Sequence, residues 1–247
     1  MVFLIRTVKA LSIILVMFFL PNCSSQLAFE AVNNSWVDDP SRGPITYYEE
    51  VKKEIDVFTV LLAKHDSRHL NSRYITDGLL ALAEKKFVTA NDNFQRALKF
   101  GPQNALLHML NALTYQLRGD AGDPDQYKMA EVGYELAARM DPGDSKVHYY
   151  MGVLQFKLQK FLNAQEYFAN AIMHDANQPE YYMGLAAASY YLGELGRAYA
   201  NIEKALTLSP LQPTTLQASG IIYASIGAFD KAYSNADLLG NVSRVRH

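Results

Sequence analysis

Apolar and small residues recur along most of this chain at long, regular intervals. Alanines stand at Ala90, Ala130, Ala164, Ala198 and Ala232, with successive gaps of 40, 34, 34 and 34 residues. Three residues before them stand Phe87, Tyr127, Phe161, Leu195 and Phe229. Four residues after the first four come Phe94, Tyr134, Phe168 and Ile202, and seven after come Ala97, Ala137, Ala171 and Ala205. Offsets of three, four and seven lie on one face of a helix, so each period contains an amphipathic helix. A second helix precedes it, marked by a small residue at Gly78, Ala112, Gly152, Ala186 or Gly220. Short turns such as "YLGELG" and "SIGAFD" join the pair, and Pro102, Pro142 and Pro210 close three of the units, because proline lacks the amide donor a continuing helix needs.

Upstream the pattern is different. Residues 45–70 hold one further amphipathic helix, with Tyr48, Val51, Ile55, Phe58 and Leu62 at steps of three and four. Residues 23–44 have no sustained periodicity and read as a flexible tether. Residues 1–22 carry Arg6 and Lys9, then a run over 10–20 that is apolar apart from Ser12, then a polar exit. That order describes an export signal, and a run of this length falls short of the ~20 residues needed to span a bilayer as a helix.

The tetrapeptide "YYMG" occurs at Tyr149–Gly152 and again at Tyr181–Gly184, 32 residues apart. The alanines set the register at 34, so the two copies stand two residues out of step, and the repeated word does not define the period.

This register resembles the tetratricopeptide repeat, a 34-residue helix–turn–helix unit. The resemblance implies an all-α solenoid over 71–246, in units 71–104, 105–144, 145–178, 179–212 and 213–246. The second unit holds six extra residues, expected near "RGDAGDPDQYK" in the turn between its helices. Such stacks form a superhelix with a concave face. In the family the first helix of each unit lines that face, which implies a binding groove at Met109, Leu113, Gln116, Lys146, Tyr149, Val153, Phe156, Met183, Tyr190 and Tyr191. That groove is apolar and tyrosine-rich, and it suits an apolar helix or extended segment of a protein partner. Each of these side chains has a second available role, packing inside a tightly wound superhelix. The fifth unit ends almost at the terminus with no polar capping helix after it, which implies self-association or a docked partner at that end.

The single cysteine, Cys23, follows the apolar run directly. Its place resembles the cleavage and acylation site of bacterial lipoproteins, although Pro21 and Asn22 stand where small residues are usual. A lipidated Cys23 implies a membrane tether. Ser24 after it, by the same resemblance, favours the outer membrane, with the scaffold facing the periplasm. Lipoproteins of this kind serve the assembly of pili or secretion channels, so the expected partner is an envelope protein. A soluble periplasmic adaptor for a peptidoglycan enzyme or a protease is the alternative.

Composition narrows the function classes. The formal net charge of −2 gives no basic footprint for nucleic acid. His65 and His69 are four apart, but Asp66 stands where a metalloprotease helix has Glu, so no metal site is expected. Asp120, Asp123 and Asp125 lack the glycine and closing glutamate of a calcium loop. With no GxSxG, P-loop or paired catalytic carboxylates, neither an enzyme nor a cofactor is expected.

Overall fold

A computed structural model describes residues 70–245, and these form ten helices with no strand among the described residues. The export signal, Cys23, the tether, His65, His69 and all but the last residue of the expected N-terminal helix lie outside them. The helices pair in order: α1 (Leu70–Ala83) with α2 (Phe87–Phe100), α3 (Ala105–Asp120) with α4 (Gln126–Met140), α5 (Ser145–Lys157) with α6 (Phe161–His174), α7 (Pro179–Tyr191) with α8 (Leu195–Leu208), and α9 (Pro213–Ser225) with α10 (Phe229–Val245). Each helix packs on its partner and on the next unit, giving an inner layer of odd-numbered helices and an outer layer of even-numbered ones.

The turn inside each pair is the same device five times. Lys85, Gly122, Gln159, Gly193 and Gly227 adopt positive φ at 59°, 114°, 59°, 79° and 80°. In each case the next amide donates back to a carbonyl five residues earlier, as in Lys160 N to Gln155 O at 2.9 Å and Glu194 N to Ser189 O at 2.9 Å. This left-handed closure satisfies carbonyls that the helix end leaves orphaned. The turns between units use side chains instead. Asn104 Oδ1 accepts from Leu107 N, and Asp144 Oδ1 accepts from Lys146 N, capping α3 and α5.

The six extra residues of the second unit are not confined to its turn, as expected from the sequence. α3 has 16 residues against 13 in α5, the turn occupies 121–125 against 158–160, and α4 has 15 against 14 in α6. Each residue added to a helix gains its own backbone hydrogen bond, whereas a longer loop leaves polar groups to be solvated.

Small residues let the layers approach. A Cβ added at Gly152 would lie 2.8 Å from the Phe168 ring, and one at Gly78 would lie 2.7 Å from Phe94. The recurring alanines and the large residues four after them are fully buried in the first four units, from Ala90 and Phe94 to Ala198 and Ile202. The fifth unit differs. Ala232 and Leu239 are only half-buried, and Phe229, Tyr233 and Leu238 are exposed; among the described residues no further inner helix packs against α10.

Candidate binding face

The outer helices are amphipathic and bury one stripe; α6, for example, buries Ala164, Gln165, Phe168 and Ala171. The inner helices behave differently. In α5 every residue from Tyr149 to Phe156 is buried, and in α7 every residue from Met183 to Tyr190. Eight consecutive residues make more than two helical turns, so these helices are buried around their whole circumference.

The aromatic side chains form a ladder along the inner layer. Tyr149 sits with its ring centroid 5.0 Å from Tyr181, 5.3 Å from Tyr150 and 6.0 Å from Phe168. Further along, Phe156 meets Phe161 edge-on at 5.3 Å and Tyr191 at 5.4 Å, while Phe161 and Tyr191 stack at 4.7 Å. Tyr191 also meets Tyr190 edge-on. Offset and edge-to-face rings at these separations add to the burial of area alone.

Polar groups tie the units together. Lys157 Nζ donates to Asp120 Oδ1 at 2.8 Å, with side-chain exposures of 12% and 21%, joining the third unit to the second. Tyr127 also donates to Asp120 at 2.8 Å; burial first, and then that carboxylate, push its phenol well above the usual range. Tyr134 Oη donates to Gln116 Oε1 at 2.8 Å, and Gln165 Nε2 donates to Ser189 Oγ and Glu194 Oε2. Gln116 Nε2, also buried, has no partner among the described residues.

Of the ten side chains expected to line the groove, Met109, Leu113, Gln116, Tyr149, Val153, Phe156, Met183 and Tyr190 are buried, none above 8% exposed. Lys146 and Tyr191 are partly exposed. The structure brings Phe156, Tyr190 and Tyr191 into one cluster and keeps Tyr149 in another with Tyr181. Tyr181 is buried to the same extent as Tyr149, each at 4%.

Sequence reasoning missed two sets of residues. His108 and His148 occupy the same place in consecutive units, and each ring Nε2 donates across a turn, to Pro102 O at 2.9 Å and Pro142 O at 3.0 Å. Their 40-residue separation matches the gap between Ala90 and Ala130, which was the available signal. The second set lies at the C-terminal end of the solenoid. Lys231 donates to Glu203 Oε1 and to Tyr199 Oη, and it stands over the Tyr199 and Tyr223 rings at 5.1 and 5.4 Å. Burial raises the Glu203 carboxyl, but hydrogen bonds from Lys231, Tyr199 and Tyr223 outweigh it and hold the group below its ordinary range. These residues come from α8, α9 and α10; Tyr199 and Glu203 are four apart on α8, but no spacing ties them to Tyr223 and Lys231.

No group of three His, Cys, Asp or Glu residues is placed to hold a metal ion among the described residues. Nor is any described helix long and apolar enough to cross a membrane.

No protein-family model matches the chain. Among curated proteins it is similar to tetratricopeptide repeat protein 16 of Mus musculus, 29% identical over 104 residues, covering 39% of this chain and 14% of that protein. It is also similar to the BBSome complex member BBS4 of Bos taurus, 28% identical over 116 residues, covering 47% of this chain and 22% of that protein. The chain thus spans about a seventh to a fifth of the length of these relatives. Among solved structures, MamA superposes with a TM-score of 0.58 at 19% identity, covering 71% of this chain and 92% of that one. Pseudomonas aeruginosa pilF gives 0.62 at 20% identity, covering 70% and 76%. Cut9, in the APC/C hetero-tetramer Cut9–Hcn1, gives 0.64 at 17% identity, covering 83% and 39%. The described residues therefore have the tetratricopeptide-repeat solenoid fold, and the sequence likenesses are to proteins of the same repeat.

Proposed function

We propose that this protein is a non-catalytic scaffold of the bacterial cell envelope, lipid-anchored at Cys23, whose inner face takes an apolar or amphipathic helix of a protein partner. One observation carries the reading. The inner helices carry apolar and aromatic side chains from Met109 and Leu113 through Tyr149 and Phe156 to Met183 and Tyr190, all buried, with Lys146 and Tyr191 partly exposed beside them. A solenoid whose concave lining is aromatic rather than charged is built to be covered by a large apolar surface. The repeat fold supports the scaffold class, since such folds act by presenting a surface. Likeness in fold to P. aeruginosa pilF supports pilus or secretion-channel assembly as the setting.

The test uses the full chain in its native host. Tyr191→Glu and Lys146→Glu change partly exposed positions, Tyr191 within the Phe156–Phe161 aromatic cluster, so each variant is first checked for wild-type helicity. The expected result is that one envelope protein co-purifies with the wild type and is lost from both variants while helicity is unchanged. Retention of every co-purifying protein by both variants refutes the partner site. Incorporation of labelled palmitate into the wild type but not into Cys23→Ala separates the lipid-anchored protein from the soluble periplasmic adaptor.

A further inference from the structure

The first two units meet at a groove that the repeat does not require. The turn after α1 and the start of α2 form one wall, Lys85 to Thr89. The end of α3 and the turn beyond it form the other, Arg118 and Ala121 to Asp123. The space between them is about 620 Å³ and opens to solvent. Its lining carries three cations, Lys85, Lys86 and Arg118, against one carboxylate, Asp123, in a chain whose formal net charge is −2.

This charge does not follow from the repeat register. Six residues after the small residue of the inner helix, the second unit has Arg118 where the third, fourth and fifth have Leu158, Leu192 and Ile226. At the turn, the first unit has Lys85 and Lys86 where those units have Gln159 and Lys160, Gly193 and Glu194, and Gly227 and Ala228. The second wall exists because α3 and its turn hold added residues, and an insertion on a repeat scaffold is a place where function collects. Arg118 is also held in position. Its Nη1 donates to Asn91 Oδ1 at 3.4 Å, its Nη2 to Asp123 Oδ2 at 3.5 Å, and its guanidinium stands 5.8 Å from the Tyr115 ring centroid. Gln126 Nε2 donates to the same Asp123 oxygen at 2.8 Å, so that carboxylate is shared and only partly offsets Arg118. Lys86 pairs with Glu84 at 2.7 Å, yet its side chain stays 65% exposed, and a pair so exposed is weak enough to be exchanged for another carboxylate.

We propose that this groove takes an acidic segment of a protein partner. Carboxylates of the segment meet the two ammonium heads on one wall and the guanidinium fork on the other, and the fork matches a carboxylate in shape as well as charge. Val88, 60% exposed between them, gives the segment an apolar contact that a small free anion leaves uncovered. The groove is a second interaction surface, independent of the inner face and of the lipid anchor.

The test uses the full chain and a fluorescein-labelled octaglutamate peptide, followed by anisotropy at low salt, with amide resonances locating the contact. Binding is expected, with shifts concentrated at 85–89 and 118–123, and added salt should weaken it steeply because the groove is open to solvent. Lys85→Glu with Lys86→Glu should weaken binding about tenfold at unchanged helicity. Arg118→Gln, which removes the fork without adding a charge, should weaken it about threefold. Lys99→Glu with Lys204→Glu, an equal charge change at exposed sites elsewhere, should leave it within about twofold. Equal losses in the two double variants would show that only net charge matters and overturn the groove. Absence of binding, or shifts confined to other residues, also overturns it. Inorganic phosphate that displaces the peptide at equal concentration identifies a small-anion site and overturns the segment. Each of these outcomes leaves the inner-face reading standing, since none of the variants touches Lys146 or Tyr191.

Discussion

Gly184 in α7 lies so close to the Phe168 ring of the preceding unit that a Cβ on it would stand 2.6 Å from the ring edge. Gly152 approaches the same ring from within its own unit. Phe168 is fully buried between these two glycines, with Tyr149 beside it. Gly184→Val should therefore destabilise the solenoid by about 1–3 kcal/mol, the usual cost of overpacking. Chemical denaturation checks this, and a midpoint unchanged from the wild type would show that the ring can yield.

Gln159 closes the turn of the third unit at a φ of 59°, where Gly193 and Gly227 do the same work in the next two units. A side chain in this region costs about 1–2 kcal/mol, and glycine gives back part of that in backbone entropy. Gln159→Gly should stabilise the protein by about 0.5–1 kcal/mol, read as a rise in denaturation midpoint. A fall would mean that the Gln159 side chain makes contacts worth more than the strain.

The cluster of Glu203, Lys231, Tyr199 and Tyr223 holds α10 to the unit before it. The Glu203 carboxyl is held below its ordinary pKa, so its contribution is complete above the free glutamate value of about 4.3 and is lost as pH falls through the folded value. At the alkaline end, burial, with Glu203 beside it, pushes the Tyr223 phenol up to about 12. The unfolded phenol ionises near 10 while the folded one resists, so stability falls as pH rises between those values. Amide exchange in α10 should accelerate at both extremes. Glu203→Gln should remove the acid response and Tyr223→Phe should reduce the alkaline one; unchanged responses would place the titration elsewhere.

Phe229, Tyr233 and Leu238 are exposed on α10, the last described helix. Exposed apolar side chains grouped on one face favour association. The unlipidated protein is expected to sediment as a dimer or larger species at micromolar concentration. Phe229→Glu with Leu238→Glu is expected to sediment as a monomer. A wild type that is monomeric across that range would show the end to be unpaired.

The sequence by itself determined the architecture, because local periodicity reports local geometry. Alanines at a fixed spacing, with large residues three before and four after, specify a helix face, and repetition of that face specifies a stack. The resemblance to the repeat family placed Met109, Tyr149, Met183 and Tyr190 on the inner helices. Only the tertiary structure decided what those positions do, because a spacing names a face but not what covers it. The repeated "YYMG" illustrates the difference. As a period it is two residues out of step, yet its two glycines converge on one ring, Phe168, from adjacent helices. Likewise Lys231, Glu203 and Tyr223 meet only because three helices cross there. Contacts between elements depend on packing angle and distance, and these are fixed by the whole set of side chains at the interface.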